Sequence, residues 1–190
     1  MDGRLIYLMG PSGSGKDSLI ESAREPLQSI NCEVVRRVIT RSAESIGEDA
    51  IGVSREAFAR MKDEGAFALC WYANGLDYGI PRSIDQSLKK GRDVLVNGSR
   101  EHFGPTLRRY PTLLPILLTV TDEVLRERLL RRGRESLAEI EARLRRNKLF
   151  TSDARIGDVR IHLLDNSGDL ATTVVDLLQL IRLNAVPDRT

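Results

Sequence analysis

"LMGPSGSGKDSL", residues 8–19, decides how this chain folds. Gly10, Pro11, Ser12, Gly13, Ser14, Gly15 and Lys16 fill the pattern G-x-x-x-x-G-K. The apolar run 5–9 precedes it, and Leu19, Ile20 and Ala23 follow at helical spacing. Strand, glycine-rich turn and helix form the context in which this pattern cradles phosphates. Glycines let consecutive backbone N–H groups converge on an anion, and the helix N-terminus adds partial positive charge. Lys16 supplies a mobile cation for the β- and γ-phosphates. ATP binding is expected, and Mg2+ with it. One position departs from the pattern: Asp17 stands where Ser or Thr is usual. Asp17 is either a Mg2+ ligand, with the Ser18 hydroxyl nearby, or a carboxylate favoured at a helix start.

Around the loop the composition is that of a globular protein. The chain has 190 residues, 41% hydrophobic and 29% charged, enough for one domain with a sizeable core. Lys and Arg number 29 against 27 for Asp and Glu, so the net charge of +2 gives no case for nucleic acid or a membrane surface as partner. No run approaches the ~18 apolar residues of a membrane span. The run 5–10 is too short for a signal-peptide core, and a cytoplasmic location is expected. Cys32 and Cys70 form no CxxC or Cys/His cluster, which argues for reduced thiols.

The pattern predicts alternating elements. "CEVVRRVIT" (32–40) reads as a strand. Ser54 reads as the N-cap of a helix carrying Phe58 and Met61. Asn74-Gly75 sits between β-favouring segments as a hairpin turn. "PRSIDQSLKKG" (81–91) reads as a short helix opened by Pro81. "DVLVN" (93–97) and "LLPILLTV" (113–120) are continuous apolar runs, as in strands covered on both faces. Helices follow at 122–132 and from Ser136, where Ser136 and Glu139 make a capping box. "VRIHLL" (159–164) reads as the last strand and 169–183 as the closing helix. The class is α/β with a mainly parallel sheet. The expected single domain has a core of 1–33, 83–125 and 148–190. A strand-rich, acceptor-binding insert covers 34–82, and an arginine-dense lid covers 126–147. Arg128, Arg131, Arg132, Arg134, Arg143, Arg145 and Arg146 are lid candidates for the transferring phosphoryl group, since such transfer needs charge neutralised. Helical spacing turns several to solvent; Arg131 or Arg132, Arg134 and Arg143 are expected to face the site.

These residues together resemble the guanylate kinase branch of the nucleoside-monophosphate kinases, over nearly the whole chain. "GPSGSGK" matches that family's loop. "ITR" (39–41) is similar to its "TTR", which implies that Arg41 grips the acceptor's phosphate. "VSREAF" (53–58) also matches. "GAFALCWYANGLDYGIPR" (65–82) is similar to a segment ending "YYGTPR", which implies the same role for Tyr78. "GRDVLVN" (91–97) and "RLLRRGRES" (128–136) match the strand and the lid. The resemblance implies a three-layer P-loop kinase sandwich. It also implies, by analogy, that residues 165–168 help form the adenine pocket.

The departures concern the acceptor. The acidic side chains with which the family reads guanine fall on Leu69 and near Ser99. A phosphate-gripping arginine falls at about Glu44, and a tyrosine at about Ala50. A base-edge donor facing leucine goes unsatisfied, and such mismatches cost orders of magnitude in specificity. A subfamily with these changes implies a sugar phosphate as acceptor, here a pentose bisphosphate. Its phosphate oxygen is already anionic, so no general base is needed. Asn97, Ser99 and Arg100, at a strand's C-terminal end where α/β sheets place ligands, suit a sugar phosphate. His102 is a structural residue or touches the sugar, and Trp71 packs or stacks. Two other readings stay open: a guanylate-type nucleoside-monophosphate kinase, and a non-catalytic binding module of this fold. The partners expected are ATP and a small sugar phosphate, with no nucleic acid and no membrane; a homodimer is left open.

Overall fold

The computed structural model describes residues 2–41, 50–133, 135–151, 155–156 and 159–184. A five-stranded sheet has the order β11-β8-β1-β7-β2. Its strands are β1 (Leu5–Met9), β2 (Cys32–Val35), β7 (Asp93–Asn97), β8 (Leu114–Thr119) and β11 (His162–Asp165). β2 pairs with β7, and β11 with β8, in parallel. All of β1, and β7 beyond Asp93, are buried, as continuous apolar runs in a covered parallel sheet require.

A second sheet, ordered β4-β3-β6-β5, joins β3 (Arg37–Ile39), β4 (Ala50–Gly52), β5 (Phe67–Ala73) and β6 (Leu76–Pro81). β5 and β6 form the expected hairpin; Asn74 and Gly75 turn it with φ of 51° and 79°. β9 (Arg155–Ile156) and β10 (Val159–Arg160) pair antiparallel.

The helices are α1 (Lys16–Ser29), α2 (Arg55–Asp63), α3 (Ser83–Lys89), α4 (Phe103–Arg109), α5 (Asp122–Arg132), α6 (Leu137–Thr151) and α7 (Leu170–Leu183). Ser54 caps α2 by accepting from the Ala57 N–H at 3.1 Å. The capping box of α6 forms as read: the Ser136 N–H donates to Glu139 Oε2 at 2.7 Å, and the Glu139 N–H to Ser136 Oγ at 3.4 Å. α5 ends on Gly133, in the left-handed region at φ 63°. Leu125, Leu129, Ile140 and Leu144 bury the seam between α5 and α6.

The chain divides into two compact units: Met1–Tyr7 with Ala23–Leu113, and Leu8–Ser22 with Leu114–Thr190. No helix among the described residues is long and apolar enough to cross a membrane.

Three elements differ from the sequence reading. "CEVVRRVIT" is two strands in different sheets, parted at the exposed Arg36. β-propensity runs straight through such a change of partner. Pro81 closes β6 instead of opening a helix, and α3 starts at Ser83. Residues 159–164 split at the buried Ile161 into β10 and β11.

Candidate active site

In the second unit, the loop from Gly10 to Gly15 joins β1 to α1. Gly13 and Gly15 both have φ near 90°, which turns successive N–H groups toward one side. A Cβ on Gly15 would lie 2.6 Å from Asn166 Nδ2, so the residue must be glycine on two counts. Lys16 Nζ arches back over the loop and donates to the carbonyls of Gly10 at 2.8 Å and Pro11 at 2.9 Å. An ammonium that rests on carbonyl oxygens can exchange them for phosphate oxygens, so the donor set fits a triphosphate.

The carbonyl of Ser14 is gripped from two distant segments. Asn166 Nδ2 donates to it at 2.7 Å and Arg128 Nη1 at 3.2 Å, while Arg128 Nη2 donates to the Asn166 carbonyl at 2.9 Å. Ser14 is fully buried and its Oγ has no hydrogen-bond partner among the described residues; the same holds for Oδ1 of the buried Asn166. Neither Arg128 nor Asn166 was singled out as a loop clamp by the sequence, since their partner lies 114 and 152 positions away. Asp17 lies in the first turn of α1, half-buried, with Ser18 exposed beside it. Among the described residues no group of three or more His, Cys, Asp or Glu could hold a metal. One carboxylate is still enough for magnesium when substrate phosphates supply the other oxygens.

The arginines expected in the lid differ from one another. Arg131 lies exposed in the last turn of α5. Arg143, on α6, is half-buried and pairs with Glu135 at 2.7 Å. Arg126 pairs with Glu141 across α5 and α6. Arg134 lies outside the described residues, as do the positions around Glu44.

The first unit gathers the residues expected for the acceptor. Arg41 follows β3 and is half-buried. Tyr78 on β6 and Asn97 at the end of β7 are buried. Ser99 is fixed through its backbone: Tyr7 Oη donates to its carbonyl and accepts from its N–H, each at 2.9 Å. Any Cβ on Gly98 would lie 2.2 Å from the Tyr7 ring, so only glycine lets that phenol reach Ser99. Burial lowers the pKa of the Arg100 guanidinium, with Glu101 opposing it.

Trp71 does stack. Its ring lies 5.4 Å from Tyr78, at 6° between planes, and 5.5 Å from His102 at 24°. Arg37 stands over the other aromatic of the hairpin pair, 5.3 Å from the Tyr78 centroid. Burial lowers the His102 pKa and Arg108 adds to the effect, which favours a neutral imidazole. Leu69, where the resemblance puts a base-reading acid, is an apolar side chain, 5% exposed.

A glycine-rich loop with Lys16 and an arginine-bearing helix pair in one unit, and stacked rings beside arginines in the other, fit the parts of a phosphoryl-transfer enzyme. A family model described as an AAA domain matches residues 6–146. A ribose 1,5-bisphosphate phosphokinase PhnN of Pseudomonas fluorescens (strain SBW25) is 64% identical over 94% of this chain and 94% of its own length. A relative of the same name from Desulfomicrobium baculatum is 44% identical over 98% of both chains. The chain belongs to the ribose 1,5-bisphosphate phosphokinase PhnN family. Members of this PhnN family are kinases, and this chain is a P-loop kinase. A crystal structure of guanylate kinase from Anaplasma phagocytophilum superposes with a TM-score of 0.70, at 21% identity, over 98% of this chain and 88% of the other. The PhnN fold is thus guanylate kinase-like.

Proposed function

We propose that this protein transfers the γ-phosphoryl group of ATP to the 1-phosphate of ribose 1,5-bisphosphate, in the cytoplasm, as a step of phosphonate breakdown. The observation that carries the reading is the 64% identity, over nearly the whole length of both chains, to a phosphokinase named for that sugar. The apolar Leu69, and the Asn97-Gly98-Ser99-Arg100 run in place of base-reading acids, support it.

A 1-phosphate oxygen attacks the γ-phosphorus, and the bond from that phosphorus to the β–γ bridging oxygen breaks. The products are ADP and 5-phosphoribosyl 1-diphosphate. The attacking oxygen is already anionic, so no proton must be removed. Lys16 and the loop N–H groups hold the β- and γ-phosphates. Arg131, Arg134 and Arg143 offset charge on the transferring group, with phosphoryl oxygens replacing Glu135 as the partner of Arg143. Arg41 and Tyr78 hold the reacting acceptor phosphate, and Asn97, Ser99 and Arg100 the sugar. Asp17 would hold Mg2+, which supplies further charge neutralisation when bound. Residues 34–82 act as the acceptor-binding insert and 126–147 as the lid.

The test is ADP release from ATP with ribose 1,5-bisphosphate, GMP, AMP and ribose 5-phosphate in turn. The bisphosphate should exceed GMP in kcat/KM by roughly a thousandfold or more, given what an unsatisfied polar edge costs. Lys16→Ala should abolish that turnover while the circular dichroism stays unchanged. Faster turnover of GMP would replace this reading with a nucleotide kinase. No turnover with any acceptor would point to a binding module.

A further inference from the structure

Arg37 was assigned no role by the motifs, yet its guanidinium lies over the ring of Tyr78, a residue expected at the acceptor. It lies two residues before Ile39 on β3, and Ile39 is the register partner of Tyr78 on β6. Strand alternation puts Arg37 and Ile39 on one face of the four-stranded sheet. That face continues to Trp71, the register partner of Tyr78 on β5. The guanidinium lies over the Tyr78 ring at 5.3 Å, and that ring stacks on Trp71, which stacks on His102. A guanidinium held over an aromatic ring keeps its position through packing as well as charge.

Arg37 also acts at the second tyrosine. Burial raises the pKa of the Tyr7 phenol, and the Arg37 charge is among the influences that oppose the rise. Tyr7 Oη is in turn bonded to the backbone of Ser99. Arg37 thus lies against the tyrosine expected at the reacting phosphate, and its charge is felt at the phenol that holds the strand end expected at the sugar.

A sugar bisphosphate brings two phosphate groups, and one arginine–tyrosine pair accounts for only one of them. The second requires a donor of its own, and a guanidinium matches phosphate geometry with paired N–H groups. We infer that Arg37 determines specificity for a bisphosphate by binding the phosphate that does not react, the 5-phosphate, while Arg41 and Tyr78 hold the one that does. This rests on the proposed bisphosphate acceptor. A purely structural Arg37 would only steady Tyr78, and its loss would then harm every acceptor alike.

The experiment compares two acceptors, ribose 1,5-bisphosphate and ribose 1-phosphate, in the unaltered protein, Arg37→Gln and Arg37→Lys. The unaltered enzyme should favour the bisphosphate. Arg37→Gln should shrink the bisphosphate-to-monophosphate ratio of kcat/KM by roughly ten- to a hundredfold, the worth of a charge-assisted hydrogen bond to phosphate. The loss should fall in the bisphosphate KM, with the ATP KM unchanged. Arg37→Lys should keep part of the ratio, since charge remains but the planar fork is lost. An unchanged ratio in both variants, with the bisphosphate still turned over, overturns the assignment of Arg37 alone. No bisphosphate turnover by the unaltered enzyme overturns the acceptor reading and this inference together.

Discussion

Asp17 is a carboxylate beside the loop proposed to hold a triphosphate. A bound divalent cation would reverse the sign of that repulsion. Asp17→Asn should therefore raise the Mg2+ concentration for half-maximal turnover about tenfold, with turnover at saturating Mg2+ much less affected. A Mg2+ titration of activity checks this, and an unchanged curve would leave only the favourable helix-start charge, worth about 0.3–1 kcal/mol. His102 gives a second prediction at this scale. Its pKa in the folded chain lies below its ordinary value of 6.5, through burial and then Arg108. The unfolded chain therefore binds more protons as pH falls below that value, so stability is full above pH 6.5 and declines through the folded pKa. His102→Gln should flatten the fall of Tm between pH 7 and 5. Some slope should remain, because the His162 pKa is lowered too, again mainly by burial.

At the scale of elements, α5 does more than carry arginines expected in the lid. Leu125 and Leu129 lie against the Gly13 position, where an added Cβ would meet each at 3.0 Å. Arg128, on the same helix, ties the Ser14 carbonyl to that of Asn166. Arg128→Ala should raise the ATP KM about tenfold and cost about 1–2 kcal/mol of stability, as two hydrogen bonds are lost. Steady-state kinetics against ATP and a urea titration would measure both. The elements that were legible in the sequence were those with local chemistry: the glycine loop, the Asn74-Gly75 turn, and the Ser54 and Ser136 caps. The short α4, with Gly104 and Pro105 inside it, gave no periodic signal. The clamp on Ser14 was illegible for another reason. Its partners are brought together only by the fold, and no spacing along the chain encodes them. Arg37 was likewise one residue of an ordinary β-rich run until Tyr78 was found beneath it.

At the scale of the whole molecule, a polar staple ties the N-terminal segment to the start of β7. Arg4 donates to Asp93 through both its backbone N–H and Nη2, each at 2.7 Å, and the two side chains are only 12% and 20% exposed. The Arg4 carbonyl accepts from the Val94 N–H at 2.9 Å, so the staple continues a strand ladder. Asp93→Ala leaves a largely buried guanidinium without this carboxylate and should cost about 2–3 kcal/mol. Calorimetry should show Tm lower by roughly 5–10 °C. The kinetic constants at 25 °C should stay unchanged, since Asp93 is at the opposite end of β7 from Asn97.

The chain contains a single tryptophan, and it is the indole that lies between Tyr78 and His102 in the run of rings. All of the protein's tryptophan emission therefore originates beside the residues assigned to the acceptor. The molecule carries its own optical probe for that half of the reaction, and sugar phosphate titrations can be followed by intrinsic fluorescence without any label.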